Sequence, residues 1–212
     1  MMYLVKGQFQ KAVRWMAGSW MSPNMATLAG VLCIGASAAT LYLGLSLPGG
    51  RWLLLLTPLC LVLRMAMNAL DGLLSRERAL ATLSGEIWNE ALDVVGDNIC
   101  YGVLLFVPGG PRITVVAFLL AIWAAEFFGV LGKGMPGGVR RHEAALGGKP
   151  DRAVWMGLLA LILFFRPGFL VHVPYYLAGL TVLVMLTALL RIRATVRAAR
   201  GRPYESYTVR GR

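Results

Sequence analysis

Long apolar stretches separated by short polar or turn-forming breaks run through most of the chain. Six of them approach the roughly 20 apolar residues that a membrane span needs. They run from about Ala26 to Leu47, Trp52 to Leu74, Leu83 to Val107, Ile113 to Leu131, Ala153 to Val171 and Tyr175 to Leu190. The breaks are rich in glycine and proline: Leu47-Pro48-Gly49-Gly50, Pro108-Gly109-Gly110-Pro111 and, late in the fifth span, Arg166-Pro167-Gly168. Such pairs mark turns, because proline cannot continue a helix and glycine supplies left-handed backbone. Ser22-Pro23-Asn24 offers a cap and a first-turn proline to the first span. Before it, Leu4, Val5, Phe9, Val13, Trp15, Met16 and Trp20 alternate with Lys6, Lys11 and Arg14, a mixture suited to a helix lying in the headgroup layer. The pattern predicts an all-α integral membrane protein: six transmembrane helices in a bundle over 26–190, an N-terminal interfacial amphipathic helix over 1–21 and a basic tail over 191–212. One domain accounts for the whole chain, and the tail is expected to continue as an interfacial helix before fraying.

Composition agrees with the pattern. The 212 residues are 58% hydrophobic and only 15% charged, with a mean hydropathy of +0.66, whereas ordinary soluble domains carry about a quarter charged residues. A net charge of +11 suggests nucleic acid in a soluble protein, but here the basic residues flank apolar spans, which points to a membrane surface and not to nucleic acid. Seventeen lysines and arginines fall on one side of the six spans, three on the other (Arg51, Arg112 and Arg166), and Arg64 falls inside the second span. By the positive-inside rule both termini are cytoplasmic, and the expected location is a prokaryotic inner membrane. Cys33, Cys60 and Cys100 lie in apolar runs without paired spacing, so they read as small hydrophobes and not as a disulfide framework or zinc site. The first twenty residues carry no apolar core followed by a small-residue cleavage site, so no removable signal peptide is expected.

What changes the picture is where the acidic residues fall. Of ten in the chain, Asp71, Glu86, Glu90, Asp93 and Asp97 lie within or at the ends of the second and third spans. A charge near the bilayer centre costs at least ~2.5 kcal/mol on insertion scales, so such residues face a bundle interior or cavity. At 100° per residue, Gly85, Asn89, Asp93 and Asp97 drift little around the third helix, and Glu86 and Glu90 share their arc. Asn68 and Asp71 share a face of the second. Two facing helices offering oxygen ligands, without histidine or thiolate, suit a hard divalent cation such as Mg²⁺ or Mn²⁺. The plainer alternative is that these carboxylates cap helix ends or pair with Arg64, Arg76 and Arg78. It suits Glu86, at a helix start, better than it suits the set.

These residues carry a resemblance. From Asn68-Ala69-Leu70-Asp71-Gly72-Leu73-Leu74-Ser75-Arg76, through eight residues to Gly85, then Asn89 and Asp93, the chain resembles the CDP-alcohol phosphatidyltransferase family, whose motif reads Asp-x2-Asp-Gly-x2-Ala-Arg-x8-Gly-x3-Asp-x3-Asp. Every spacing is kept. Asn68 and Asn89 stand where the family has its first and third aspartates, and Ser75 stands for its alanine. The resemblance implies transfer of a phosphatidyl or other phosphoalcohol group from a CDP-linked lipid, such as CDP-diacylglycerol, to a hydroxyl-bearing acceptor, with release of CMP, in phospholipid synthesis. It further implies two divalent metals on the donor diphosphate, a homodimer, and an active site toward the cytoplasm. Position by position, Asn68, Asp71, Asn89 and Asp93 fall to the metal site and Asp93 to the catalytic base. Asp97, one turn beyond Asp93, is the residue expected to restore charge that the asparagines remove, with Glu90 beside it. Gly72, Ser75, Arg76 and Gly85 fall to the CDP and diphosphate, the glycines because the lack of a Cβ lets the nucleotide approach.

Arg140, Arg141, Lys149 and Arg152, in and after the longest loop, are candidates for an anionic acceptor, with a topology signal and attraction to anionic lipid as the simpler alternative. Arg64 is either a counter-charge for the acidic face or a residue of a polar cavity. Two other functions stay open. Intramembrane carboxylates also serve divalent-cation or proton-coupled transporters, although those spread them over several spans. The two asparagines also suit a catalytically silent binder of CDP-lipid or metal. No pattern identifies the acceptor alcohol.

Overall fold

The computed structural model describes residues 21–135 and 147–201. Among these it has six α-helices: α1 (Pro23–Ser46), α2 (Leu56–Glu77), α3 (Leu83–Gly102), α4 (Arg112–Gly134), α5 (Lys149–Phe165) and α6 (Val173–Ala199). Short 3₁₀ segments occupy Gly50–Leu55, Val103–Leu105 and Pro167–His172, and the described residues contain no strand. The expected interfacial helix over residues 1–20, the loop arginines Arg140 and Arg141, and the tail beyond Gly201 lie outside the described residues. Four segments, Pro23–Ser46, Gly50–Glu77, Arg112–Gly134 and Pro167–Ala199, are long and apolar enough to cross a membrane, and the chain is a multi-pass membrane protein. The two other helices occur where the pattern put spans. However, α3 carries Glu86, Glu90, Asp93 and Asp97, and α5 has 17 residues.

Local chemistry sets the helix ends. The Ser22 hydroxyl accepts a hydrogen bond from the Met25 amide at 3.2 Å, and Pro23 opens α1 where its missing N–H costs nothing. Thr82 caps α3 in the same way through the Gly85 amide at 3.1 Å, and Glu86 sits in the first turn against the positive end of the helix dipole. α2 closes with the amide of Leu80 bonded to the Ser75 carbonyl at 2.8 Å, a Schellman-type ending. The residue that must take positive φ there is Ala79, at 52°, a conformation that disfavours any residue with a Cβ.

The helices gather into two compact units. Of the described residues, the first unit comprises those up to Gly109 together with Ala153–Gly168, and the second comprises those between Gly110 and Arg152 together with those from Phe169 on. In the first unit α1 packs along α2 and against α3. Ala26 on α1 and Ala66, Met67, Leu70 and Leu74 on α2 form a buried cluster, with Met21 and Ala29 against it. In the second unit α4 packs along α6, burying Val115, Phe118, Ile122 and Ala125 of α4 and Leu177, Leu180, Val184 and Ala188 of α6. α6 runs unbroken to Ala199, and Arg191 is only 2% exposed. This residue belongs to the packed face of α6 and not to an interfacial tail.

Gly147 is held against α6 more closely than any side chain would allow. A Cβ there would lie 2.7 Å from the Leu183 carbonyl oxygen and 2.8 Å from the Val184 Cα. Gly147→Ala is therefore expected to destabilise the second unit by about 1–3 kcal/mol, read as a lower midpoint of thermal unfolding in detergent. An unchanged midpoint would show that the α6 backbone gives way freely.

Candidate active site

The motif residues line α2 and α3 of the first unit, and the two ends of the motif meet. The Asn68 side-chain nitrogen on α2 donates to Asp93 Oδ1 on α3 at 2.7 Å. A carboxylate only accepts, so the amide must present its N–H to Asp93. Its oxygen lies on the opposite side, 3.1 Å from where a Cβ of Gly30 on α1 would stand. Asp93 is 9% exposed, while Asn68 and Asp71 are half-buried. Asp71 is held by two hydroxyls: Thr27 of α1 donates to Oδ2 at 3.1 Å, and Ser75, where the family motif has alanine, donates to Oδ1 at 3.3 Å. Asn89 is half-buried one turn before Asp93 on α3.

Gly72 and Gly85 face open space. Among the described residues the only atom near a Cβ at Gly72 would be the Arg76 guanidinium at 3.5 Å, and at Gly85 the Thr82 hydroxyl at 3.1 Å, both from their own chain segments. No described helix needs either glycine for its packing. Arg76 is exposed and folds back to give a 2.7 Å hydrogen bond from Nε to the Gly72 carbonyl.

Directly beneath lies an ion pair. Arg64 Nη1 of α2 meets Asp97 Oδ1 of α3 at 2.7 Å, with the arginine 4% and the aspartate 0% exposed. The other terminal nitrogen of Arg64 donates to the Asp93 carbonyl at 3.3 Å and lies 3.6 Å from Asp93 Oδ1. Asp97, which the spacing puts on the acidic face, is paired with Arg64, the counter-charge that the second span carries. Thr27, Gly30 and the Arg64–Asp97 pairing escape a sequence reading because nothing in their spacing marks a partner on another helix.

A second polar centre belongs to the other unit. Glu126 of α4, 2% exposed, receives Arg152 Nη2 at 3.0 Å and Arg191 Nη1 at 3.5 Å on Oε1, and Lys149 Nζ stands 3.8 Å from Oε2. Arg152 also donates to the Gly147 carbonyl at 3.1 Å, and Arg191 to the Ala125 carbonyl at 2.6 Å. Among the described residues, three cations thus surround one carboxylate. The candidate acceptor residues Lys149 and Arg152 are brought together here, while Arg140 and Arg141 lie outside the described residues. Arg191 joins them although its place in a run of arginines made it look like a surface residue. Its one distinguishing signal is its phase on α6, one turn beyond the buried Thr187 and Ala188.

Among the described residues no three histidine, cysteine, aspartate or glutamate side chains converge as a metal centre. Mg²⁺ is commonly held by one or two carboxylates together with waters and substrate phosphates, and Asp71 and Asp93 fit that more modest requirement. Asp97, bonded to Arg64, adds no unmatched charge to them.

Because Arg64 and Asp97 are buried together, removing one leaves the other as an uncompensated charge. Arg64→Met or Asp97→Leu alone is expected to destabilise the protein by about 3–5 kcal/mol, whereas the double variant recovers most of that loss. Additive losses in a double-mutant cycle of unfolding midpoints would show that the pair is not coupled.

No family model matches the chain. It is 33% identical to the inner membrane protein YnbA of Escherichia coli (strain K12) over 201 residues, covering 92% of this chain and 96% of that protein. In structure it is similar to Mycobacterium tuberculosis phosphatidylinositol phosphate synthase (PgsA1), crystallised with CDP-DAG bound. The TM-score is 0.67 at 16% identity, with 88% of this chain and 92% of that chain covered. The chain therefore belongs to one family with YnbA and has the fold of the CDP-alcohol phosphatidyltransferases, the family that residues 68–93 resemble.

Proposed function

We propose that this protein transfers a phosphatidyl or related phosphoalcohol group from a CDP-linked lipid, CDP-diacylglycerol being the model donor, to an acceptor hydroxyl, releasing CMP. The observation that carries this reading is the 2.7 Å contact between Asn68 and Asp93. It joins the first and last positions of an eight-position motif across two helices that also carry two glycines covered by no described helix. The shared fold with a synthase crystallised with CDP-DAG supports it.

In this reading Asp93 is the base. It takes the proton as the acceptor oxygen bonds to the β-phosphorus and the phosphorus–oxygen bond to CMP breaks, so CMP leaves with the electron pair. Asn68 fixes the Asp93 carboxylate through its N–H, and Thr27 and Ser75 fix Asp71. Gly72 and Gly85 admit the cytidine, with Asn89 on the same face as Gly85. Arg76 pairs with the diphosphate, for which it must release the Gly72 carbonyl. Bound at Asp71 and Asp93, Mg²⁺ or Mn²⁺ supplies charge neutralisation to the diphosphate. Lys149 and Arg152, joined by Arg191, receive an anionic acceptor, with Arg140 and Arg141 of the preceding loop as further candidates for that role. The gathering of three cations around Glu126 supports that role. The same reading includes six spans, both termini in the cytoplasm, a site facing the cytoplasm, an inner-membrane location and a homodimer. The replacement of two aspartates by Asn68 and Asn89 favours one competing reading, a silent binder of CDP-lipid.

Purified protein given CDP-diacylglycerol, Mn²⁺ and a panel of polyols, phosphopolyols and serine is expected to release CMP with at least one acceptor. Asp93→Ala is expected to lower that rate by at least ~100-fold. CMP release no greater than that of Asp93→Ala with every acceptor would leave the silent binder. Lys149→Gln is expected to raise the KM for an anionic acceptor with little change in kcat. A fall in kcat at constant KM would remove Lys149 from acceptor binding.

A further inference from the structure

The family motif places four aspartates where this chain has Asp71, Asp93 and two asparagines, and the structure shows what stands in for the missing charge. Asn68 presents its N–H to Asp93 Oδ1 at 2.7 Å, with its carbonyl oxygen turned toward Gly30. Two carboxylates in the same places would repel one another and would need a cation between them. An amide N–H and a carboxylate need none, and a cation entering that gap would meet a donor hydrogen. Arg64, held by its bond to the fully buried Asp97, stands 3.6 Å from Asp93 Oδ1, so a guanidinium already occupies that side of the carboxylate.

Resting on the transferase reading above, we infer that this site is built for one divalent cation instead of two, with the Asn68 amide and the Arg64 guanidinium replacing the second. Asp71, with only hydroxyl donors from Thr27 and Ser75, is the carboxylate on which the single cation centres. Hydroxyls leave lone pairs on both oxygens available for a metal, and no arginine contact to Asp71 opposes it among the described hydrogen bonds and ion pairs.

Counting bound Mn²⁺ tests this without reference to turnover. Detergent-purified protein is titrated with Mn²⁺ alone, and free Mn²⁺ is followed by its electron paramagnetic resonance signal. One Mn²⁺ per chain is expected for the native protein and two for Asn68→Asp/Asn89→Asp. A native count of two, or of none, overturns the inference, and so does a folded double variant that still binds one. The native count stands even where the double variant fails to fold. CMP release on the same samples separates this inference from the reading beneath it. Turnover with two Mn²⁺ bound overturns the single-cation site and leaves the transferase standing. One Mn²⁺ bound, with no CMP released from any acceptor, upholds the site and removes the transferase.

Discussion

Charge in an apolar solvent must be matched, and the pair formed by Arg64 and Asp97 shows how the first unit meets that demand. The two residues sit on different helices and almost no water reaches either. Their attraction offsets a desolvation cost of several kcal/mol per ion only because the geometry is close and further hydrogen bonds are made. One of those bonds goes to the Asp93 backbone carbonyl, so the ion pair ties α2 to α3 at the level of the motif. Asn68 and Asp93 meet one turn above, and their register follows from that lock.

The same requirement shapes the second unit with the signs reversed. There a single carboxylate, Glu126, is surrounded by Lys149, Arg152 and Arg191. In the first unit an arginine moderates an acidic face, and in the second a glutamate moderates a basic cluster. The acidic face is where a cation is proposed to bind, and the basic cluster is where an anionic acceptor is proposed. A phosphoryl-transfer enzyme needs both, since the donor diphosphate must be neutralised while a base stays ionised to take a proton.

Much of the architecture was legible because the bilayer makes sequence pattern a strong constraint. A run of about 20 apolar residues has few alternatives to a helix when every backbone polar group must be satisfied internally. Ser22, Pro111 and Pro167 then mark ends within a few residues of where the structure has them. Glu86 took the helix-start role that its position suggested. Spacing within one helix also survived intact: Asn68 with Asp71 on α2, and Gly85, Asn89, Asp93 and Asp97 along α3, are related by a period that folding does not change.

Relations between helices were another matter. Periodicity places Asp97 on the acidic face but says nothing of Arg64, 33 residues away, because which side chain of a neighbouring helix arrives opposite depends on crossing and register. For the same reason Thr27, Gly30 and Arg191 were invisible as members of a site, while Lys149 and Arg152 were visible only as positive charges without a partner. The sequence by itself determined helices, membrane, motif and the two departures from that motif, all properties of residues near one another along the chain. Only the tertiary structure decided that Asp97 is paired and that Asn68 acts as a donor to Asp93. Ion pairing and hydrogen bonding depend on distances of a few ångströms between segments that the chain order leaves far apart.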